Sequence, residues 1–146
     1  MCVTPLVMQY DSASDVTGKL SRKVPCGKCP KCRKVKVAQW AYRFDYELRR
    51  STNPLFVTLT YSDDYLPLVY DDKTSQEVPT LCRRDIQLFM KKLRKSSGVK
   101  GIKYLCVGEY SPKKQRPHYH LVLLNLPDAK LINSNWNYGF TYSPLS

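Results

Sequence analysis

The stretch Arg116-Pro117-His118-Tyr119-His120-Leu121-Val122-Leu123-Leu124 restricts what this chain can become more than any other. It holds both of the chain's histidines, two residues apart at the head of an apolar run that reads as a buried strand. Successive side chains of a strand point to opposite faces, so His118 and His120 share a face, about 7 Å apart at about 3.3 Å per residue. A second strand, residues 102–110, precedes them. The connection Ser111-Pro112-Lys113-Lys114-Gln115-Arg116-Pro117 is rich in turn formers and joins the two strands as a hairpin. With Tyr110 paired near Pro117, Glu109 falls opposite His118. A slide of two residues brings it beside His120, and a slide of one turns it to the far face.

Two imidazoles and one carboxylate on a common face suit Mn²⁺, Mg²⁺ with help from water, or a borderline ion such as Zn²⁺ or Co²⁺, and leave positions free for substrate oxygens. Such an open site favours catalysis over scaffolding. Ligation needs neutral imidazole, so ion binding weakens as pH falls. The competing reading is an incidental histidine pair on an edge strand that begins after Pro117.

Charge indicates the partner. Lys and Arg number 24 against 12 Asp and Glu, a formal charge of +12, which calls for an anionic ligand. The 11 tyrosines interleave this basic surface with rings on which unpaired bases can stack, so nucleic acid is favoured over loose polyanion affinity or a merely solvated basic face. The 146 residues allow one domain, 1–146, with a modest core and a cysteine-rich segment, 1–32, inside it. No apolar run is long enough for a bilayer and no secretory signal opens the chain, so the expectation is an intracellular protein without membrane partners. Cysteines there stay reduced, and their grouping then requires another explanation.

Cys26-x-x-Cys29-x-x-Cys32, with Cys2 as a fourth thiol, has the make-up of a tetrahedral structural zinc site. Lys23, Lys28, Lys31 and Arg33 favour the thiolate forms. An iron–sulfur cluster and unligated loop thiols are the alternatives. Residues 9–23 read as polar and irregular. From Arg33 to Arg50, Val37, Trp40, Ala41, Phe44 and Leu48 recur at the helical period, predicting an amphipathic helix whose stripe packs into a core.

Asn53-Pro54 ends that helix and a strand follows over 55–61, with Phe56, Thr58 and Thr60 on one face and Leu55, Val57, Leu59 and Tyr61 on the other. The acidic stretch 62–79 reads as a loop or a short hairpin around Leu68-Val69-Tyr70, solvated and not a calcium loop. A second helix is predicted from Arg83 to Lys95, with Ile86, Phe89, Met90 and Leu93 on its buried stripe and Asp85 in its first turn. Cys82 and Cys106 read as small buried residues. A helical turn is expected over 129–132 and a final strand over 135–142, where Tyr138 and Tyr142 serve packing or base stacking.

The His-Tyr-His strand after a Gly-Glu strand, together with the 56–61 strand, resembles the HUH endonuclease superfamily of rolling-circle replication initiators. Cys2, the Pro25-Cys26-Gly27-Lys28-Cys29-Pro30-Lys31-Cys32 stretch, Trp40, Arg43, Glu47, Trp136 and Gly139 resemble, more narrowly, the replication initiator protein of gokushovirus-type microviruses, small single-stranded DNA phages. The resemblance implies an α+β fold: a central, mainly antiparallel, Rep-like sheet with helices packed on one face and an N-terminal cysteine-rich segment.

It also implies a metal-dependent nicking and rejoining of single-stranded DNA at a replication origin, in the host cytoplasm and alongside host replication proteins. Glu109, His118 and His120 would hold Mn²⁺ or Mg²⁺, and Arg43, Lys91, Lys92, Lys113, Lys114 and Arg116 are candidate DNA contacts. The superfamily's nucleophile is a tyrosine on a helix after the last strand, so no catalytic residue is identified in this chain and that tyrosine is expected beyond Ser146. A noncatalytic origin-binding module and a zinc-stabilised interaction protein are the alternative functions.

Overall fold

A computed structural model describes residues 2–11 and 19–144. The chain divides into two compact units, Met1–Arg49 and Arg50–Ser146.

In the first unit, strands β1 (Leu6–Asp11) and β2 (Lys19–Val24) pair antiparallel from Leu6 opposite Val24 to Asp11 opposite Lys19. The stretch 9–23 is therefore not irregular where it is described, at 9–11 and 19–23; residues 12–18 lie outside the described residues. Polar side chains concealed this hairpin, because no apolar alternation marks a two-stranded ribbon without a buried face. Helix α1 runs Pro30–Arg49, starting three residues before the predicted Arg33. Proline suits this first turn, where its missing N–H has no acceptor to lose and its fixed φ is already helical. An Arg49–Asp45 pair at 2.9 Å spans one turn near the other end. The stripe does not enter a core: α1 has no buried residue, and Val37 and Trp40 are exposed. Its period is helical, but its unit has no packed apolar interior among the described residues.

The second unit begins with strand β3 (Leu55–Thr60), followed by a hairpin of β4 (Leu68–Asp71) and β5 (Gln76–Pro79). Next come helix α2 (Arg83–Ser97), strands β6 (Lys103–Tyr110) and β7 (Pro117–Leu124), helix α3 (Lys130–Asn135) and the two-residue strand β8 (Thr141–Tyr142). Four strands form one antiparallel sheet in the order β6-β7-β3-β8. Gly98 closes α2 in the left-handed region at φ 65°, as helix C-termini commonly require. Asn125 ties three segments at one end of the sheet: its Oδ1 accepts from the Thr52 N–H at 2.8 Å, its own N–H donates to the Thr52 carbonyl at 2.7 Å, and its Nδ2 donates to the Gly101 carbonyl at 3.0 Å.

Alternation divides the sheet into two different faces. Val57 and Leu59 of β3 and Tyr119, Leu121 and Leu123 of β7 are buried, and they join Ile86, Phe89, Met90 and Leu93 of α2 and Ile132 of α3 in one core. The fold is thus α+β with helices on one face, as expected. The covering pair is α2 with the short α3, in place of α1. Burying each large apolar side chain is worth about 1.5–3 kcal/mol, which gives this layer most of its driving force.

At the top of the core the Tyr61 hydroxyl donates to Asp85 at 2.7 Å and lies 3.3 Å from the Tyr119 hydroxyl. The Tyr119 hydroxyl in turn accepts from the Cys82 N–H at 2.6 Å and contacts the Cys82 carbonyl at 2.9 Å, anchoring the start of α2. Burial raises the pKa of both phenols, so they stay protonated and serve the fold. Cys106 is half-buried, and that burial pushes its thiol up to about 11.

The expected final strand 135–142 is mostly something else. Asn135 completes α3, and Trp136 inserts into the core, 2% exposed, donating through Nε1 to the Thr60 carbonyl at 2.9 Å. A large buried anchor outweighs local strand propensity here. The chain then passes so close to β3 that a Cβ on Gly139 would sit 2.4 Å from both the Thr60 carbonyl oxygen and the Ser62 nitrogen. Backbone atoms cannot yield as a flexible side chain can. Gly139→Ala is expected to destabilise the second unit by about 1–3 kcal/mol, measured as a lower urea midpoint followed through Trp136 in a Trp40→Phe background.

Candidate metal centre

The register of β6 against β7 sets the site. Tyr110 lies opposite Pro117, Glu109 opposite His118 and Val107 opposite His120, the first of the registers expected from sequence. Side chains at directly opposed positions share a face, so Glu109, His118 and His120 all project from the side away from α2 and α3. On the neighbouring strand Thr60 lies opposite His118 and Thr58 opposite His120.

One oxygen, Glu109 Oε2, is 3.9 Å from His118 Nε2 and 3.4 Å from His120 Nε2, and the three donor atoms lie within 4.8 Å of one another. Ligands about 2.1 Å from one ion are about 3.0 Å apart at right angles and about 3.4 Å apart tetrahedrally, so modest side-chain adjustment lets all three reach one cation. Glu109 is exposed while the imidazoles are partly buried. Positions toward solvent are left for other ligands.

The imidazoles are oriented from behind. His118 Nδ1 lies 3.2 Å from the Arg116 carbonyl; a carbonyl only accepts, so this nitrogen carries the proton and Nε2 keeps its lone pair for a metal. His120 Nδ1 lies 3.1 Å from Thr58 Oγ1, which fixes that ring in the same sense. Thr58 is therefore a positioning residue as well as a cross-strand neighbour. Phe56 stacks on His120 with centroids 5.6 Å apart and planes 19° from parallel, and the two imidazoles meet edge to face at 4.9 Å.

Sequence reasoning missed Phe56 and Phe140 as part of this face. Thr60 exchanges backbone hydrogen bonds with Phe140, and Thr58 lies opposite Tyr142, so both aromatic residues share the face of the two threonines. Phe140 and Tyr142 are 71% and 66% exposed and Phe56 is 42% exposed, which makes them available as stacking surfaces. The two-residue spacing of Phe56 from Thr58 and of Phe140 from Tyr142 was the signal. Tyr138, by contrast, packs against Tyr61, Tyr65 and Trp136. A cleft of about 660 Å³ beside the site is lined by Thr60, Asp63, Asp64, Lys114, Arg116 and Phe140, among others.

The basic candidates separate by position. Lys113 and Lys114 sit in the β6–β7 turn beside the metal face, whereas Lys91 and Lys92 are exposed on α2, which covers the opposite face. Arg116 is engaged within the protein: its guanidinium donates to Asp63 at 2.5 Å and to the Tyr61 carbonyl at 2.6 Å. Arg43 belongs to the first unit, where its guanidinium lies 5.7 Å over the Trp40 ring. That unit holds a second convergence, since the sulfurs of Cys2, Cys26, Cys29 and Cys32 also lie within 4.8 Å of one another. The Thr4 hydroxyl and then the backbone N–H groups of Cys29 and Lys28 lower the Cys26 thiol to about 5.

The family model of the replication-associated protein ORF2 matches residues 54–144, the span that contains the sheet and the Glu109/His118/His120 cluster. The chain belongs to this family of replication-associated proteins. It is 44% identical over 127 residues to "Replication-associated protein ORF2" of Spiroplasma virus 4, covering 83% of this chain and 37% of that protein. It is 27% identical to "Replication-associated protein VP4" of Bdellovibrio phage phiMH2K, covering 88% and 43%. It is 31% identical to "Replication-associated protein ORF4" of Chlamydia phage 1, covering 80% and 29%. This member of the replication-associated family thus spans well under half the length of these relatives. No solved structure matches it, and no helix among the described residues is long and apolar enough to cross a membrane.

Outer-sphere hydrogen bonds to metal-binding histidines typically carry 10–100-fold in affinity. Thr58→Val, which keeps the shape but loses the hydroxyl, is expected to weaken Mn²⁺ binding by about that factor while leaving the circular dichroism spectrum unchanged; isothermal titration calorimetry reads the affinity directly.

Proposed function

We propose that this chain is the metal-binding part of an HUH-type replication initiator of the gokushovirus kind, a nuclease that nicks and rejoins single-stranded DNA at a phage origin in the bacterial host cytoplasm. The observation that carries the reading is the meeting of Glu109, His118 and His120 on the open face of the sheet. Membership of a family named for replication, and a charge of +12, point to the same substrate.

A divalent ion, Mn²⁺ or Mg²⁺, would serve here as a Lewis acid toward a nonbridging oxygen of the scissile phosphate. The residues supply everything around that chemistry. His118 and His120 present neutral Nε2 lone pairs because the Arg116 carbonyl and Thr58 Oγ1 occupy their Nδ1 sides. Glu109 contributes the negative charge that favours a cation over water in the site. Lys113 and Lys114 offer charge to the DNA backbone at the end of the hairpin, and Phe140 and Tyr142 offer rings to unpaired bases at the other edge of the same face.

The attacking tyrosine is assigned to protein outside residues 1–146, since the relatives are much longer than the matched region. Its oxygen would form a bond to phosphorus and retain the 5′ end as the P–O bond to the 3′ oxygen breaks. A free 3′ hydroxyl is left to prime synthesis, and host replication proteins would extend it.

Two measurements test the reading. Labelled single-stranded origin DNA is incubated with Mn²⁺ and either the 146-residue chain or a protein of the relatives' full length. A covalent adduct is expected only with the longer protein, and the His118→Ala/His120→Ala variant of it should lose both the adduct and one bound Mn²⁺. Adduct formation that survives this double variant would overturn the proposal; DNA binding without any adduct from either protein would support a noncatalytic origin-binding module instead.

In the second measurement, anisotropy with single-stranded DNA should show affinity falling steeply with salt and hardly changed by the histidine variant, because lysine and arginine contacts to phosphates supply the bulk of it. Phe140→Ala and Tyr142→Ala should each lower it by about 1–3 kcal/mol if a base stacks there.

A further inference from the structure

The Cys2/Cys26/Cys29/Cys32 cluster is not used by the metal centre on the sheet, and its geometry is informative on its own. Cys2 Sγ lies 3.4 Å from Cys26 Sγ and 3.7 Å from Cys29 Sγ. Four thiolates about 2.3 Å from a single zinc ion stand about 3.8 Å apart along the edges of their tetrahedron. All four sulfurs lie within 4.8 Å of one another, too close for ligands on separate corners of an iron–sulfur cube and right for one central ion.

Backbone donors already face the sulfurs. The Cys26 N–H points to Cys2 Sγ at 3.4 Å, and the Cys29 N–H points to Cys26 Sγ at 3.4 Å. Gly27, at φ 74°, provides the left-handed backbone that lets the loop fold around them. Such N–H groups stabilise sulfur that carries negative charge.

The surroundings show what an ion would do. Among the described residues of Met1–Arg49 no large apolar side chain is buried, so hydrophobic packing does not hold this unit together. The four cysteines come from the segment before β1, the segment after β2 and the first turn of α1. These are the three places that must be joined for the hairpin and the helix to form one body. Small units without a core are commonly held by a structural metal.

We propose that Cys2, Cys26, Cys29 and Cys32 bind one Zn²⁺ as a closed, structural tetrathiolate site, and that this ion takes the place of a core in the first unit. The site has no open position and takes no part in strand cleavage; it is independent of the ion at Glu109/His118/His120.

The test uses the full chain carrying Glu109→Ala, His118→Ala and His120→Ala, so that the sheet site does not contribute. Elemental analysis after purification under reducing conditions is expected to give one zinc per chain. Exchange with Co²⁺ alone should give the intense visible bands and the thiolate-to-metal charge transfer of tetrahedral cobalt, which need no cysteine variant and so do not depend on one folding. A pale octahedral spectrum, or none, overturns the proposal, as does a chain isolated with iron in place of zinc.

Function of the ion is read by limited proteolysis. Stripping zinc with a strong chelator should open residues 1–49 to cleavage while leaving a fragment beginning near Arg50 intact, and zinc addition should restore resistance. Unchanged resistance in the stripped chain would overturn the structural role. Cys29→Ser is expected to reproduce the stripped state and to lose the cobalt bands.

Discussion

Everything about the candidate site rests on one pairing, Glu109 against His118 across β6 and β7. A sheet permits only two classes of register, those that keep a given side chain on a face and those that invert it. The apolar residues of β7 fix the class, because Tyr119, Leu121 and Leu123 must reach the core, leaving His118 and His120 no choice of side. The hairpin turn then fixes the position within that class. Ser111 donates its N–H to the Arg116 carbonyl at 2.9 Å, and the Ser111 hydroxyl accepts from the Arg116 N–H at 3.1 Å. The chemistry is therefore placed by hydrophobic burial on the opposite side of the same strand.

The two faces of the sheet carry different duties. One is sealed by α2 and α3 and locked at its upper end by the Tyr61, Asp85, Tyr119 and Cys82 hydrogen bonds. This rigid backing holds the ligands of the open face on strands and not on loops, an arrangement that favours precise donor placement. The open face keeps exposed aromatic and cationic groups at its two edges, with the acidic and imidazole donors between them. A polyanion with flat bases can find backbone charge, stacking surface and metal ligands along one plane.

Much of this was legible in the residues, and the exceptions have physical causes. The HxH spacing, the Gly-Glu strand and the apolar alternation of β3 specified the ligand face because strand periodicity is strict. The α2 stripe and its Asp85 start signal likewise led to a helix that is present over Arg83–Ser97. Helix α1 was legible as a helix but not in its environment: periodicity reports that one face is apolar, not that something covers it. The β1–β2 hairpin was hidden by its polar sequence. Trp136 and Gly139 fell inside a predicted strand because local propensity says nothing of a core waiting for an indole or of a backbone passing within atomic contact. Phe140 and Tyr142 joined the metal face only once their opposition to Thr60 and Thr58 was known.

Arg116 is a residue whose charge suggested a DNA contact and whose position gives it another task. Its guanidinium bridges the Tyr61 carbonyl and Asp63, while its own carbonyl faces the imidazole of His118. It works as a splint between the acidic turn after β3 and the tautomer of a metal-facing histidine. Asp63 is nearly fully exposed at its carboxylate, so anything that binds that turn and competes for the splint's outer end would also disturb its inner end. The ring that must offer a lone pair is in this way mechanically connected to the protein surface, without any contact between a surface ligand and the metal face itself.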